Sequence, residues 1–258
     1  MRDRVLNQAL FRKLDPLFDK MFIHDSYSCR LRKGTHAGVT RLDFFLRQIS
    51  QNNTKEIYTL KCDVKSFFDS ISHKILLKIL KGKIQDKQVL GVIDLILRSF
   101  EKSSGKGLPL GNVTSQLFAN IYLNRFDQFI KHDLKEKYYI RYCDDFIILS
   151  EDKKHLTSII PKINTFLTKK LVLRLHPRKV TVRKVSWGVD FLGYVVFPHH
   201  KILRTRTKKR ILRKTMKLRG ELNCGLISQK LFKTSLQSYL GMLVHCNGRK
   251  IKQKLNPR

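Results

Sequence analysis

The 258-residue chain is 42% hydrophobic, which is enough to bury a core and excludes a wholly disordered protein. Its 53 lysines and arginines against 20 aspartates and glutamates give a formal net charge of +33, which favours a polyanionic partner such as nucleic acid. No stretch approaches the roughly 20 apolar residues of a membrane-spanning helix, and the N-terminal segment is too charged for a signal peptide. Five scattered cysteines without Cys-x-x-Cys spacing argue against a disulfide framework or a zinc site, so we expect a cytoplasmic protein without a membrane partner.

The apolar pattern predicts mixed helices and strands before the C-terminal segment. Predicted helices occupy residues 72–80, 87–100, 114–130 and 153–170. Predicted strands occupy residues 57–64, both sides of the Asp144-Asp145 pair, and parts of 171–203. A glycine-rich loop is predicted over 103–111. Strands with helices on one face predict an α+β fold.

Residues 199–258 form a strongly basic segment, with seventeen lysines and arginines and Glu221 as the only acid. Apolar residues still recur there at helical spacing from Leu231 to Val244, and Asn247-Gly248 is the predicted helix end. We therefore divide the chain into 1–198 and a small helical module over 199–258. Because acids are almost absent, nucleic-acid contact is favoured over a merely solvated lysine face.

Three carboxylates are candidates for chemistry because each lies at the end of a predicted strand, beside core sequence. Asp63 closes the first predicted strand, and Asp144 and Asp145 precede the apolar run 146–149. Acids in such places require a partner, and in so basic a chain three of them can hold two Mg2+ ions. An Asp-Asp pair is also common in hairpin turns, and a strand-end aspartate often caps a helix, so spacing alone leaves both interpretations open.

Five segments resemble, in order, motifs A to E of reverse transcriptases. Asp-Val-Lys-Ser-Phe-Phe-Asp at 63–69 resembles motif A, and Tyr-Cys-Asp-Asp at 142–145 resembles the Tyr-x-Asp-Asp hairpin of motif C. The other three are Gly-Leu-Pro-Leu-Gly-Asn-Val-Thr-Ser-Gln at 107–116 for motif B, Leu-His-Pro-Arg-Lys at 175–179 for motif D, and Phe-Leu-Gly-Tyr at 191–194 for the primer-grip motif E. Five motifs in this order are far more specific than a lone Asp-Asp pair.

The resemblance implies a right-hand polymerase fold, with partial fingers, a palm of antiparallel sheet and packed helices, and the basic segment as a helical thumb. It implies an RNA-directed DNA polymerase that extends a primer with dNTPs and copies a template RNA into cDNA. Asp63, Asp144 and Asp145, with the Val64 carbonyl, are the implied ligands of two Mg2+ ions, for which Mn2+ can substitute. Lys179 matches the motif D lysine and is the implied general acid for pyrophosphate.

Motifs A and B also imply a nucleotide site. Its implied residues are Phe68, Leu110, Gly111 and Gln116. Phe68 matches the steric gate, a ring that clashes with a 2′-hydroxyl, and its alternative role is core packing. Leu110 stands where most members have a glutamine beside the incoming nucleotide. A leucine cannot supply the hydrogen bonds of that amide, so the resemblance implies weaker selection of base-pair geometry. The alternative role of Leu110 is packing against Pro109.

Three features predict contacts with nucleic acid. Gln116, Asn120 and Asn124 recur every four residues, so we expect Asn120 on a polar helix face that touches template or nucleotide; a solvated face is the alternative. Motif E implies primer contact by Phe191, Leu192, Gly193 and Tyr194. The basic module begins with Arg204, Arg206, Lys208 and Lys209, which we expect on the nucleic-acid backbone.

Motif B narrows the resemblance. Most reverse transcriptases read Gln-Gly-x-x-x-Ser-Pro there, whereas this chain reads Leu110-Gly111-x-x-x-Ser115-Gln116, which is similar to the enzymes of diversity-generating retroelements. The resemblance implies errors opposite template adenines and an accessory nucleic-acid-binding protein. Group II intron and retron reverse transcriptases are the alternative, with a poorer fit at motif B.

The match to the family begins at Arg2-Asp3-Arg4, after the family's basic fingertip hairpin, which holds the triphosphate. We expect either an N-terminally shortened product or a second polypeptide that supplies the hairpin. The second hypothesis is therefore a catalytically weak, nucleic-acid-binding remnant. Intact Asp63, Asp144, Asp145 and Phe68 favour the polymerase.

Overall fold

A computed structural model describes residues 2–109 and 111–255 of the chain. The helices are α1 (Arg2–Asp19), α2 (Thr35–Ile49), α3 (Phe67–Ser70), α4 (His73–Lys81), α5 (Lys87–Arg98), α6 (Val113–Gln128), α7 (Lys153–Leu171), α8 (Thr205–Asn223), α9 (Gln229–Leu243) and α10 (Arg249–Leu255). The strands are β1 (Tyr58–Asp63), β2 (Tyr139–Tyr142), β3 (Asp145–Ser150), β4 (Thr181–Lys184), β5 (Val189–Phe191), β6 (Tyr194–Val196) and β7 (Lys201–Leu203). A π-helical turn follows α6 over Phe129–Asp133, and a 3-10 turn covers Val185–Trp187.

The central sheet has the strand order β2-β3-β1-β4, and every neighbouring pair is antiparallel. In this register Asp63 at the end of β1 lies opposite Asp145 at the start of β3. Tyr142 at the end of β2 also pairs with Asp145. The end of β1 and the β2–β3 turn therefore meet at one edge of the sheet.

Alternate residues of the central strands point into two hydrophobic cores, one on each face of the sheet. Leu60, Phe146 and Ile148 belong to the first core, which α1, α4, α5, α6 and α7 cover. Ile147 and Leu149 belong to the second, which α2, the sheet β5-β6-β7 and the last three helices cover. The prediction of helices on one face is therefore corrected, because the other face is covered as well.

The α+β class is confirmed, and the predicted strand over 57–64 and the four predicted helices agree with β1, α4, α5, α6 and α7 to within a few residues. The sequence pattern does not predict the helices α1, α2, α3, α8 and α10. The helix α9 ends at Leu243 rather than at the predicted Asn247-Gly248, because the chain turns and the Asn247 amide donates to the Lys201 carbonyl of β7 at 2.7 Å.

The predicted division into 1–198 and 199–258 falls between two strands of one sheet, since β6 pairs with β7. Ile211, Leu243 and Ile251, which lie in the predicted thumb, also belong to the second core. The two parts thus share a sheet and a core, and the division stays a prediction.

Within the described part, no helix is long and apolar enough to span a membrane.

Candidate active site

The motif C acids lie at the two-residue turn between β2 and β3. Cys143, the first turn residue, has a left-handed backbone with φ 55°, which is the hand that suits the twist of a tight hairpin. A non-glycine residue in this conformation is strained and needs support from its surroundings. Arg141 supplies that support, because its Nη1 donates to the Cys143 carbonyl at 3.0 Å.

Backbone hydrogen bonds join motifs A, C and D at this edge of the sheet. The Val64 amide donates to the Asp144 carbonyl at 3.2 Å, and the His176 amide donates to the Asp63 carbonyl at 2.8 Å. Together with the pairing of Asp63 and Asp145 across the sheet, these bonds place the backbones of the three predicted acids at one edge of the sheet. Residues far apart in sequence thus form one constellation.

Two lysines bind the carboxylates of this constellation. Lys179 Nζ donates to Asp63 Oδ2 at 2.8 Å, and Lys61 Nζ lies 3.3 Å from Asp145 Oδ2. The hydrogen bond to Asp63 raises the pKa of Lys179. Burial raises the pKa of Asp144 and raises that of Asp145 to about 6, since a desolvated carboxylate favours its neutral form. The site therefore concentrates acids whose charge requires nearby cations.

The donor chemistry of the site fits the predicted Mg2+, which takes oxygen ligands. Asp63, Asp144 and Asp145 provide carboxylate oxygens, and Oδ1 of Asp145 is buried without a hydrogen-bond partner in the described part of the chain. In that same part, no three or more His, Cys, Asp or Glu side chains are grouped closely enough to hold a metal ion. Instead of a metal ion, Lys179 contacts one carboxylate oxygen of Asp63, and Lys61 contacts one of Asp145.

Phe68, a predicted nucleotide-site residue, is only partly buried and packs against the first core. Its neighbour Phe67 is the core residue, with 2% of its surface exposed. The Leu108 amide of motif B donates to the Phe68 carbonyl at 2.9 Å, so motifs A and B adjoin here. Part of Phe68 thus remains accessible, as a gate requires.

The other predicted nucleotide residues belong to the start of α6 and the loop before it. Gly111 is exposed and has φ 95°, a conformation that favours glycine. Gln116 lies in the first turns of α6 and is partly exposed. Leu110 lies outside the described residues.

Asn120 contradicts the prediction of a nucleic-acid contact. It is 2% exposed, and its amide is engaged within the protein. Its Nδ2 donates to the Ser28 carbonyl at 2.8 Å, and its Oδ1 accepts from Arg141 Nη1 at 3.3 Å. Asn120 therefore supports the motif C hairpin through Arg141, while Gln116 and Asn124 on the same helix remain partly exposed.

Motif E divides into core residues and an accessible turn. Phe191 and Tyr194 are fully buried, and the Tyr194 hydroxyl donates to the Met242 carbonyl at 3.0 Å. The predicted contact of these two side chains with primer is therefore wrong, because they pack in the second core. Leu192 and Gly193 form the partly exposed turn between β5 and β6.

The predicted thumb cations differ in their surroundings. Arg206, Lys208 and Lys209 are exposed and make no ion pair within the described part of the chain. Arg204 is partly buried and pairs with Asp190 of β5. A groove of about 1040 Å³ runs along the start of α8 and is lined by cations that include Arg204, Arg206 and Lys209.

Two further residues of the site, Arg141 and Lys61, are not among the predicted site residues. Both are charged residues inside predicted strands, where side chains next to core sequence need partners. Lys61 shares a strand face with Asp63, two residues away. That interruption of an apolar strand by a cation is the signal that indicates a role at the site.

Known proteins resemble this chain over most of its length. A family profile described as reverse transcriptase (RNA-dependent DNA polymerase) matches residues 1–196. Protein YkfC of Escherichia coli is 23% identical over 81% of this chain and 62% of its own length. The group II intron-encoded protein LtrA of Lactococcus lactis is 23% identical over 81% of this chain and 44% of its own length. The Escherichia coli retron Ec83 reverse transcriptase is 26% identical over 60% of this chain and 53% of its own length.

The chain thus spans less than two thirds of each of these relatives. Their names include a group II intron protein and a retron enzyme, so the closeness to diversity-generating retroelements stays a prediction.

Telomerases are among the solved structures with a similar fold. Telomerase of Candida tropicalis in complex with a TWJ fragment of telomeric RNA gives a TM-score of 0.60 at 14% identity, covering 94% of this chain and 47% of the telomerase. Its apo form truncated from the C-terminal domain gives a TM-score of 0.58 at 17% identity, covering 76% of this chain and 44% of the telomerase. The right-hand polymerase fold is confirmed, and the chain belongs to the reverse transcriptase (RNA-dependent DNA polymerase) family.

Proposed function

We propose that this chain is an RNA-directed DNA polymerase that copies a template RNA into cDNA by extending a primer with dNTPs. The observation that carries the proposal is the meeting of Asp63 with Asp144 and Asp145 at one sheet edge, beside an open cleft. Phosphoryl transfer needs cations and positioned oxygens rather than a nucleophilic side chain. Three acids at the ends of adjacent strands in a chain of net charge +33 meet that need.

Asp63, Asp144 and Asp145, with the Val64 carbonyl, are the proposed ligands of two Mg2+ ions, with Mn2+ as a substitute. When bound, such a pair of ions would activate the primer 3′-hydroxyl and stabilise the leaving pyrophosphate. The unpartnered Oδ1 of Asp145 supports this assignment. Lys179 is the proposed general acid. Its hydrogen bond to Asp63 supports this role, as does its raised pKa, which keeps it protonated.

Nucleotide selection is assigned to residues of motifs A and B. Phe68 is the proposed steric gate, supported by its partial exposure and by the hydrogen bond between its carbonyl and the Leu108 amide. Gly111, Gln116 and Leu110 are the proposed neighbours of the incoming nucleotide; for Leu110 the support is the motif alone.

Template and primer binding is assigned to the motif E turn and the thumb. Leu192 and Gly193 remain accessible for the primer strand. The groove at the start of α8 supports backbone contact by Arg206 and Lys209, with Lys208 exposed on the same helix. Such contacts are electrostatic and largely independent of sequence.

The finer assignment is an error-prone enzyme of a diversity-generating retroelement, assisted by an accessory nucleic-acid-binding protein. Its support is motif B. The second candidate is a group II intron or retron type of reverse transcriptase, which is favoured by the similarity to LtrA and to the retron Ec83 enzyme.

The test is primer extension on a defined RNA template, with Mg2+, with EDTA, and with each dNTP omitted in turn. We expect templated extension that requires the metal and stops where the omitted dNTP is needed. Asp144→Asn should lower the rate by several orders of magnitude and leave RNA affinity unchanged, because it removes one ligand charge without touching the thumb. Equal activity of variant and parent would overturn the assignment of Asp144 to the active site. RNA binding without extension by the parent favours the nucleic-acid-binding remnant instead.

A further inference from the structure

A stacked aromatic pair outside the candidate active site lines two adjoining cavities. Phe129 of the π-helical turn and Phe166 of α7 stack with 4.2 Å between ring centroids and 12° between ring planes. Both residues are only partly buried and pack against the first core. They line one cavity of about 480 Å³ and a second of about 450 Å³. Because both cavities share these two rings, they form one continuous depression, which we call the aromatic groove.

The floor of the aromatic groove is apolar and its walls are mostly helical. On one side of the aromatic pair the groove lies between α4, α6 and the end of α1, with the apolar residues Phe18, Met21, Phe22, Ile79 and Ile121. On the other side it follows α7, where Leu134 and Pro161 contribute. Pro161 is exposed and Leu134 is half-buried. A continuous apolar surface that polar residues surround is typical of an interaction site.

The π-helical turn produces part of this surface. The Leu134 amide donates to the Phe129 carbonyl at 3.0 Å. This bond joins residues five apart, whereas the bonds of an α-helix join residues four apart. The turn therefore interrupts the helical periodicity after α6 and leaves Phe129 and Leu134 in the wall of one cavity. Turns of this kind are frequent at functional sites.

Cations without partners surround the apolar floor. They are Lys83, Arg125, Lys162, Lys169 and Lys170. All five are exposed, and none of them makes an ion pair within residues 2–109 and 111–255. Asp133 is the only acid among the described residues that line the groove. The groove is therefore complementary to a ligand with an apolar face and acidic flanks.

Charge and backbone chemistry narrow the kind of ligand. A second copy of the chain is disfavoured, because each copy carries a formal net charge of +33 and like charges repel. An extended peptide is disfavoured as well, since the helical walls bond their own backbone groups internally and leave those of the peptide without partners. A helix satisfies its own backbone and can lay an apolar face into a groove.

We propose that the aromatic groove binds an acidic amphipathic helix of a partner protein. Its apolar face would lie on Phe129 and Phe166, and its flanking acids would pair with the surrounding cations. The groove belongs to the first core, whereas α8, α9 and α10 cover the second core on the other face of the sheet. The partner helix and a nucleic-acid strand on the thumb can therefore bind together. The proposal concerns protein binding and does not depend on the proposed polymerase activity.

The experiment measures binding of a fluorescein-labelled model peptide to the full chain by fluorescence anisotropy. The peptide is a helix of about 18 residues with leucines at i, i+3, i+4, i+7 and i+11 and glutamates on both flanks. A scrambled peptide has the same composition and charge but no apolar face. KCl at about 0.3 M screens non-specific attraction to the basic chain. We expect saturable binding of the amphipathic peptide and at least about ten-fold weaker binding of the scrambled one, because its leucines stay in water.

Thr165→Glu tests whether the peptide lies in the groove. Thr165 is exposed and lines the groove, so the change introduces an acid against the acidic helix and leaves the core unaltered. It should weaken binding of the amphipathic peptide at least about ten-fold. Thr168→Glu is the matched control, because Thr168 is also exposed on α7 but does not line the groove. The control should bind within about two-fold of the parent, and circular dichroism of both variants excludes misfolding.

Several results would overturn the proposal. They are the absence of saturable binding, equal binding of the two peptides, parent-like affinity of Thr165→Glu, and an equal loss of affinity in Thr168→Glu. The same two variants are tested with an RNA–DNA hybrid and with phosphatidylglycerol vesicles. If Thr165→Glu weakens either of these interactions as much as it weakens peptide binding, the groove is a nucleic-acid or membrane surface and the proposal is wrong.

Discussion

Arg141 and Asp127 form a buried, two-point ion pair directly behind the hairpin that carries the motif C acids. Nε and Nη2 of Arg141 donate to the two carboxylate oxygens of Asp127 at 2.7 and 2.6 Å. The residues are 1% and 0% exposed. The remaining nitrogen of Arg141 holds the Cys143 carbonyl of the turn. The pair therefore fixes the hairpin from inside the palm.

Removing the arginine of this pair should destabilise the fold. Arg141→Met leaves Asp127 buried without a cation, and breaking a buried pair in this way costs about 3–5 kcal/mol. We expect a decrease of that size in the free energy of unfolding measured by urea denaturation. The control is Arg98→Met, which removes an exposed partner of Asp94 on one helix and should cost at most about 1 kcal/mol. Similar decreases in the free energy of unfolding of both variants would show that the buried pair stabilises the fold no more than the exposed pair does.

Phe68 is expected to select the sugar of the incoming nucleotide. Phe68→Val opens space where a 2′-hydroxyl would otherwise clash, so incorporation of rNTPs relative to dNTPs should rise. Single-nucleotide primer extension measures this ratio. Phe67→Leu is the matched control, because Phe67 lies in the core and its change should leave the ratio unaltered. An unchanged ratio of rNTP to dNTP incorporation in Phe68→Val would show that Phe68 only packs against its neighbours.

The sequence predicts the palm well because its signals are local. Strand ends beside apolar runs placed Asp63, Asp144 and Asp145, and the motif order placed them in one site. Antiparallel pairing of β1 with β3 then brings the acids together, as the register of Asp63 and Asp145 shows. The predicted α6 agrees for the same reason, since its apolar residues recur at helical spacing.

The predictions that the structure contradicts concern residues whose contacts come from distant segments of the chain. Amides four residues apart share a helix face whether that face is buried or exposed, so the spacing could not reveal that Asn120 points inward. Its partners Ser28 and Arg141 lie 92 and 21 residues away in sequence. Phe191 and Tyr194 likewise depend on α9 and the second core, which no local pattern in motif E describes.

The thumb should bind nucleic acid mainly through charge. Neutralising Arg206, Lys208 and Lys209 together should lower the slope of log affinity against log salt by about 0.7–0.9 for each phosphate that these side chains neutralise. Fluorescence anisotropy of a labelled RNA–DNA hybrid over a salt series measures the slope. These three side chains are suited to the test because they are exposed and unpaired in the described part, unlike Arg204.

A second triple variant controls for net charge in that experiment. Lys162, Lys169 and Lys170 are exposed lysines of α7, and their neutralisation makes the same change in total charge. We expect a smaller change in slope, since α7 covers the first core, on the opposite face of the sheet from the thumb. Equal changes in both triples would mean that general charge, not the thumb groove, governs binding.

The last prediction concerns Leu110, and it tests the subfamily rather than the family. In most reverse transcriptases a glutamine at this point of motif B can hydrogen-bond near the incoming nucleotide, and a leucine cannot. A hydrogen bond of about 0.5–1.5 kcal/mol corresponds to about a two- to twelve-fold change in discrimination. We therefore expect errors concentrated opposite template adenines in the parent, and fewer errors in Leu110→Gln by a factor in that range. Sequencing of cDNA made by both proteins on one RNA measures the rates. Leu110→Met, which restores no hydrogen bond, should keep the parent's error rate. A parent without adenine bias would overturn the diversity-generating assignment and favour the group II intron or retron type, while the proposed polymerase activity would be unaffected.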